Sequence, residues 1–237
     1  KTVHDGHGAV GIRYGRCQNG GIRKRRNFIT EIGSGDNRTC NPTFTETLRL
    51  PYGVKTVGLS PKDDYTIDIA KEIPVLRERY DIVLHVAGKA HSVPKTEAER
   101  QVFFDVNLQG TKNLCTALER RRVPRAFIFI STVAVYGCAY GENITEDHPL
   151  DGDTPYAMSK RLAEEYLQKW CYEHNVILGI IRPSLIAGPN PPGNLGAMIH
   201  GIRSGKYLSI AGGQARKSVL MVQDIAKLVS LLAEKGG

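Results

Sequence analysis

No apolar stretch in this sequence of 237 residues approaches the roughly 18 residues that a membrane-spanning helix needs. The first residues are polar and glycine-rich, not charged and then apolar as a secretory leader would be. A soluble protein that is not exported is therefore expected. The cysteines, Cys17, Cys40, Cys115, Cys138 and Cys171, are odd in number and include no C-x-x-C pair. Neither a disulfide framework nor a zinc site is indicated, so no metal is expected and a reduced, cytoplasmic setting fits. Residues 1–50 lack any run of four aliphatic residues, the usual mark of a buried parallel strand.

With 41% hydrophobic and 24% charged residues, the chain can bury one large core, as single α/β domains of this length do. The net charge of +8 is uneven, since residues 1–50 hold nine Lys and Arg against four Asp and Glu. A cluster such as Arg23-Lys-Arg-Arg26 attracts polyanions in some proteins. A short charge run is more often a solvated surface, so nucleic acid is not the favoured partner.

From about residue 54 the pattern alternates. Val54–Leu59, Asp81–Ala87, Ala126–Thr132 and Val176–Arg182 read as strands. Helices are predicted over Glu97–Arg120, from Pro155 to about His174, and from about Asp224. Between them lie a polar loop, Gly137–Asp153, and a Pro/Gly-rich loop after Arg182. Short apolar strands alternating with helices indicate an α/β fold with a doubly wound parallel sheet buried on both faces. That body covers residues 51–237, with 1–50 set apart as an atypical, basic, glycine-rich segment. Gly6-His-Gly-Ala-Val-Gly11 spells G-x-G-x-x-G, yet almost no chain precedes it to form a strand, so an irregular segment is the stronger interpretation.

Ligands of open parallel sheets gather beyond the carboxyl ends of the strands. There the sequence places Ala87-Gly88, Ser131-Thr132 and Pro183-Ser184. Thr154-Pro155 reads as an N-cap followed by proline at the first helical position, which puts Tyr156 in the first turn and Lys160 one turn later on the same face. A nearby ammonium is expected to lower the phenol pKa, so that Tyr156 exchanges a proton with a substrate hydroxyl, aided by Thr132, while hydride moves to or from a nicotinamide. The competing interpretation is a surface Tyr and Lys on an amphipathic helix.

Over about residues 64–237 the chain resembles the extended short-chain dehydrogenase/reductases, also called NAD-dependent epimerase/dehydratases. The resemblance rests on Asp64-Tyr-Thr-Ile-Asp68, His85-Val-Ala-Gly88, Val106-Asn-Leu-Gln-Gly-Thr111, Ser131-Thr-Val-Ala-Val-Tyr-Gly137, Tyr156-Ala-Met-Ser-Lys160 and Arg182-Pro-Ser-Leu-Ile-Ala-Gly-Pro189, in the family's order. It implies a Rossmann-like fold and NAD, with NADP as the alternative. Asp68 and Ile69 would contact the adenine end, Ala87, Gly88 and Lys89 would line the cofactor's path, Asn107 would sit behind the nicotinamide site, and Pro183 beside it. The catalytic trio would be Tyr156, Lys160 and Thr132. A nucleotide-sugar region is implied near 189–221, with Asn194 and Arg216 holding the diphosphate, and so is a homodimer.

The family's opening strand with its T-G-x-x-G-x-x-G turn is not recognisable in residues 1–50, so the first β-α unit is expected to be aberrant or missing. The family's substrate region usually continues beyond the position of Gly237, so that region is expected to be truncated. The branch resembled handles UDP-sugars as 4-epimerases or 4-reductases in cell-surface polysaccharide synthesis. Val133-Ala134 stands where dehydratases carry an Asp-Glu pair. The alternatives are an impaired or pseudo-enzyme lacking its phosphate loop, and a nucleic-acid binder on the same fold.

Overall fold

The computed structural model describes residues 11–14, 27–32, 53–90, 92–189, 191, 193–207 and 216–235. Its main sheet is built on β6 (Ala126–Ile130), every residue of which is buried. Side chains alternate across a strand, so Phe127 and Phe129 enter one core with Leu114, Leu118, Leu167 and Trp170, while Ala126, Ile128 and Ile130 enter a second with Ile225, Val229 and Leu232. A strand apolar on both faces needs helices on both sides, and these two cores supply them.

Parallel to β6 run β5 (Ile82–His85) and β7 (Ile177–Arg182). Beyond β5 come β2 (Asn27–Ile32), β3 (Gly53–Gly58) and β4 (Tyr65–Thr66), all parallel. A short β1 (Gly11–Tyr14) runs antiparallel along the outer side of β7. Among the described residues the order is β1-β7-β6-β5-β2-β3-β4, a doubly wound sheet as the sequence predicts.

The opening strand that could not be located in the sequence is β2. Its residues Phe28-Ile29-Thr30-Glu31-Ile32 break any aliphatic run with Thr and Glu, yet β-branched residues favour extended backbone, and β2 is paired on both sides, Phe28 standing opposite Val54 and Ile82. The direction of winding reverses between β2 and β5. That reversal marks the crevice where such sheets hold ligands. Of the G-x-G-x-x-G match, Gly6 to Val10 lie outside the described residues, and Gly11 begins a strand instead of a turn.

The predicted helix over 97–120 is one helical run with a wider turn inside it. Thr96 caps α1 (Glu97–Phe104) by accepting from Glu99 N at 3.2 Å. A π-helical turn spans Asp105–Gln109, and α2 (Gly110–Arg121) continues from it. The α3 helix (Pro155–Glu173) starts as expected, with Pro155 at its first position and the Thr154 hydroxyl accepting from Ala157 N at 3.2 Å. After β7, in the stretch expected to be loop, lie β8 (Leu185–Ala187), α4 (Gly193–Arg203) and β9 (Val219–Met221), with β8 and β9 forming a small parallel sheet. The last helix, α5 (Val222–Lys235), lays Ile225, Ala226, Val229 and Leu232 on the sheet. Among the described residues no helix is long and apolar enough to cross a membrane, and no group of three metal-binding side chains occurs.

Candidate active site

At the carboxyl ends of β5 and β6 the chain turns sharply, and both ends offer carbonyl groups to one buried ammonium. Lys160, one turn into α3, is 3% exposed. Its Nζ donates to Ile130 O at 2.9 Å and to Ala87 O at 3.4 Å, and lies 4.5 Å from the centre of the Phe129 ring. An ammonium taken out of water needs such partners to offset its lost hydration.

Thr132 ends the β6 segment and caps the 3-10 turn Val133–Tyr136, its hydroxyl oxygen accepting from Ala134 N at 3.1 Å. Because that oxygen is the acceptor there, its proton is left to favour the charged form of the nearby Tyr156 phenol. Although part of Tyr156 reaches solvent, burial of its hydroxyl end pushes the phenol up, and the Thr132 hydrogen bond pulls it the other way. Burial wins. This corrects the sequence expectation that Lys160 lowers the phenol: the ammonium is engaged by strand-end carbonyls, and the desolvation of Tyr156 outweighs what the hydroxyl supplies.

Asn107 is fully buried within the π turn. Its Oδ1 accepts from Lys89 N at 2.7 Å, and its Nδ2 donates to Lys89 O at 3.2 Å and to Ser159 Oγ at 2.8 Å. One amide thus clamps the loop after β5 to the helix carrying Tyr156 and Lys160. The Thr111 hydroxyl donates to Asn107 O at 2.6 Å and contacts His85 Nε2 at 2.8 Å. Since the hydroxyl proton is committed to the carbonyl, His85 donates from Nε2. Between these groups lies Gly88, where a Cβ would sit 2.9 Å from Lys160 Nζ and 3.1 Å from Asn107 Oδ1. Only a residue without a side chain fits there.

Pro183 is buried beside Thr132, its carbonyl accepting from Val133 N at 3.2 Å. Just before it, Arg182 forms a forked pair with Glu164 of α3, with Nη2 to Oε2 at 2.6 Å and side chains 4% and 0% exposed. Burial alone would weaken this guanidinium's charge, but the hydrogen bond and charge of Glu164 outweigh it and hold the pKa above the ordinary value. Its Nη1 donates to Tyr136 Oη at 3.1 Å and to Glu146 O at 3.2 Å. Arg182 therefore ties β7, α3, the 3-10 turn and the following loop together.

The structure brings together Thr132, Tyr156, Lys160, Ala87, Gly88, Lys89, Asn107 and Pro183. Asp68 and Ile69 follow β4 elsewhere in the chain. The Asp68 carboxylate accepts from Ala70 N at 3.1 Å, the Ile69 side chain is committed to the core, and Ile69 O accepts from Asn113 Nδ2 at 2.7 Å. Arg216 is exposed before β9, and the side chain of Asn194 lies outside the described residues. Sequence reasoning missed Ser159 and the Arg182–Glu164 pair. The only signals were a serine inside the Tyr-x-x-x-Lys stretch and a charge ending an apolar strand.

Residues 61–237 match the family described as NAD dependent epimerase/dehydratase. Among curated relatives, the chain is 37% identical over 130 residues to the N-acetyl-alpha-D-glucosaminyl-diphospho-ditrans,octacis-undecaprenol 4-epimerase of Escherichia coli O157:H7, which covers 54% of this chain and 39% of that one. It is 30% identical over 227 residues to the UDP-glucose 4-epimerase of Vibrio cholerae, covering 88% of this chain and 67% of that one. Thus the chain spans about two fifths of the first relative and two thirds of the second. Among solved structures, DesIV, a dTDP-glucose 4,6-dehydratase from Streptomyces venezuelae with NAD and TYD bound, superposes with a TM-score of 0.71 at 20% identity, covering 89% of this chain and 72% of that one. At that identity the likeness concerns the fold.

Proposed function

The chain belongs to the NAD-dependent epimerase/dehydratase family, and from that premise we propose that it is a nucleotide-sugar 4-epimerase working by hydride transfer. The observation that carries this is the buried Lys160 ammonium bridging Ile130 O and Ala87 O one helical turn from Tyr156, whose desolvated phenol Thr132 draws toward its charged form.

The residues fit a dinucleotide on this edge. Gly88 lets Lys160 and Asn107 close over the main chain after β5, where a Cβ would stand 2.9 Å from Lys160 Nζ and 3.1 Å from Asn107 Oδ1. The buried hydroxyl of Ser131 has no hydrogen-bond partner among the described residues, a donor and acceptor open to a polar ligand. In this proposal Asp68 and the main chain at Ile69 face the adenine end. Ala87, Gly88 and Lys89 line the path between adenine and nicotinamide, and Asn107 and Pro183 bound the nicotinamide end. When bound, NAD supplies a ring that takes hydride from a sugar carbon and returns it.

The chain's own residues handle the proton. Tyr156 Oη receives it from the sugar hydroxyl and gives it back, while the Thr132 hydroxyl donates to the phenol oxygen and favours its charged form. The Lys160 ammonium is held by Ile130 O and Ala87 O and ties the ends of β5 and β6 to the helix that carries Tyr156. Epimerisation at C4 is favoured over dehydration, since the two residues after Thr132 are Val133 and Ala134, neither of which carries an acid or base. Both curated relatives named above are 4-epimerases. Arg216 and Asn194 remain proposed contacts to the diphosphate. A homodimer through α1, α2 and α3 is part of the same proposal, with Val102 and Tyr172 exposed on those helices.

Incubation with UDP-glucose or UDP-N-acetylglucosamine and NAD, followed by chromatography of the sugar nucleotides, tests the proposal. The expected result is a C4-epimer mixture reached from either side, absent in Tyr156→Phe. Net consumption of reduced cofactor with one product would replace the epimerase by a 4-reductase. No conversion together with no NAD binding would overturn the enzyme reading.

A further inference from the structure

The loop between Gly137 and Asp153 joins the two halves of the site, and it begins with a thiol. Cys138 is exposed. Its thiol donates to the carbonyl oxygen of Tyr136 at 3.6 Å, and its Sγ has His148 Nε2 at 3.7 Å as a second partner. The orientation of the imidazole is set elsewhere. His148 Nδ1 is 3.0 Å from Pro149 O, and a carbonyl only accepts, so in the neutral ring Nδ1 carries the proton and Nε2 faces the sulfur as an acceptor. The ring also stands edge-on to Tyr136, at 5.7 Å between centres and 80° between planes, and Tyr136 is itself held by Arg182.

We propose that Cys138 and His148 form a modification site, a thiol–imidazole pair at which hydroperoxides oxidise Cys138 to a sulfenic acid. The thiol proton moves to His148 Nε2 as the sulfur attacks the outer peroxide oxygen. A sulfur–oxygen bond forms and the oxygen–oxygen bond breaks. The departing hydroxide takes the proton back from the imidazole and leaves as water. Sulfur loses one electron pair and the peroxide gains it, so thiol and hydrogen peroxide become sulfenic acid and water. The other described thiols do not compete. Cys115 and Cys171 are buried, and burial pushes the Cys171 thiol up to about 12.

Oxidation has a structural consequence. Gly137, next to the sulfur, has a φ of 72°, and a Cβ there would lie 2.7 Å from the main chain at Asp151. The backbone beside the sulfur is thus fixed against the 3-10 turn that Thr132 caps, and the exposed sulfur takes up the oxygen on the solvent side.

The test treats the full chain with limiting hydrogen peroxide, traps sulfenic acid with dimedone, and quantifies each cysteine peptide by mass spectrometry. This readout is independent of any sugar chemistry. Cys138 should label before Cys115 and Cys171. His148→Gln and His148→Phe should each slow its labelling about tenfold, while His174→Gln leaves it unchanged. The phenylalanine variant keeps an aromatic ring beside Tyr136 but carries neither ring nitrogen, so a role confined to ring packing would leave its rate intact. Labelling of Cys138 no faster than that of Cys171, or an unchanged rate in His148→Phe, would overturn the proposal.

Discussion

Replacing Glu164 by leucine removes the only carboxylate that the forked Arg182 hydrogen bonds engage and leaves a guanidinium whose side chain is 4% exposed in an apolar setting. Removing one member of a buried pair costs about 3–5 kcal/mol, mostly because the other charge stays desolvated without its counter-ion. In a chain of this size about 1 kcal/mol moves the melting temperature by roughly 2–4 °C, so a drop of about 6–20 °C is expected. Replacing both partners, Glu164→Leu with Arg182→Met, removes the stranded charge. It should recover most of the loss, leaving a deficit of about 1–3 kcal/mol because Tyr136 Oη and Glu146 O lose their donor. The double variant should nonetheless turn over slowly, since the turn and loop that Arg182 ties to α3 are released. Thermal and urea unfolding of the parent, both singles and the double give the coupling energy directly. A double variant as unstable as the two singles added together would refute the reasoning.

Tyr156→Phe should lower turnover by about 10² or more at an unchanged melting temperature, as loss of a positioned proton donor does; equal kcat would remove Tyr156 from the mechanism. Because burial raises the Tyr156 phenol above its ordinary 10.0, the folded chain holds that proton more tightly than the unfolded chain. The associated stability is complete below pH 10 and lost as pH rises further, so the difference in unfolding free energy between parent and Tyr156→Phe should change only on the alkaline side. Gly88→Ala should weaken NAD binding about tenfold or more by calorimetry, since its Cβ would lie 2.9 Å from Lys160 Nζ. Gly152→Ala would bring a Cβ to 2.5 Å from Ala134 O and should cost about 1–3 kcal/mol in urea unfolding.

The parts of the fold legible in the sequence are those where one local signal suffices. The run Ala126-Phe-Ile-Phe-Ile130 announces a strand buried on both faces, and Thr154-Pro155 announces the start of α3. Strand β2 was not legible because its identity comes from pairing on both sides, with Thr30 and Glu31 hiding it from any search for continuous aliphatics. The site was legible as residue types and order. Its wiring was not. Asn107 reaches Ser159 across 52 positions, and Arg182 reaches Glu164 across 18; each pair joins two different elements, and periodicity within one element says nothing of such contacts. The direction of the Tyr156 shift depends on how deeply its phenol is buried against the pull of Thr132, and that depth is set by packing that no sequence pattern encodes.

The π turn at Asp105–Gln109 lets the helical run from Glu97 to Arg121 hold one residue more than an α-helix needs over the same stretch. Because the wider turn absorbs that residue, α1 and α2 keep nearly the facing they would have in a continuous helix one residue shorter, while the sequence on the two sides falls out of step by one position, about 100° of helical rotation. Losing one residue of this turn other than Asn107 should therefore leave Phe103 beside the Tyr156 ring and Leu114 and Leu118 in the core, whereas the same deletion elsewhere in the run would turn one part of the helix away from its partners.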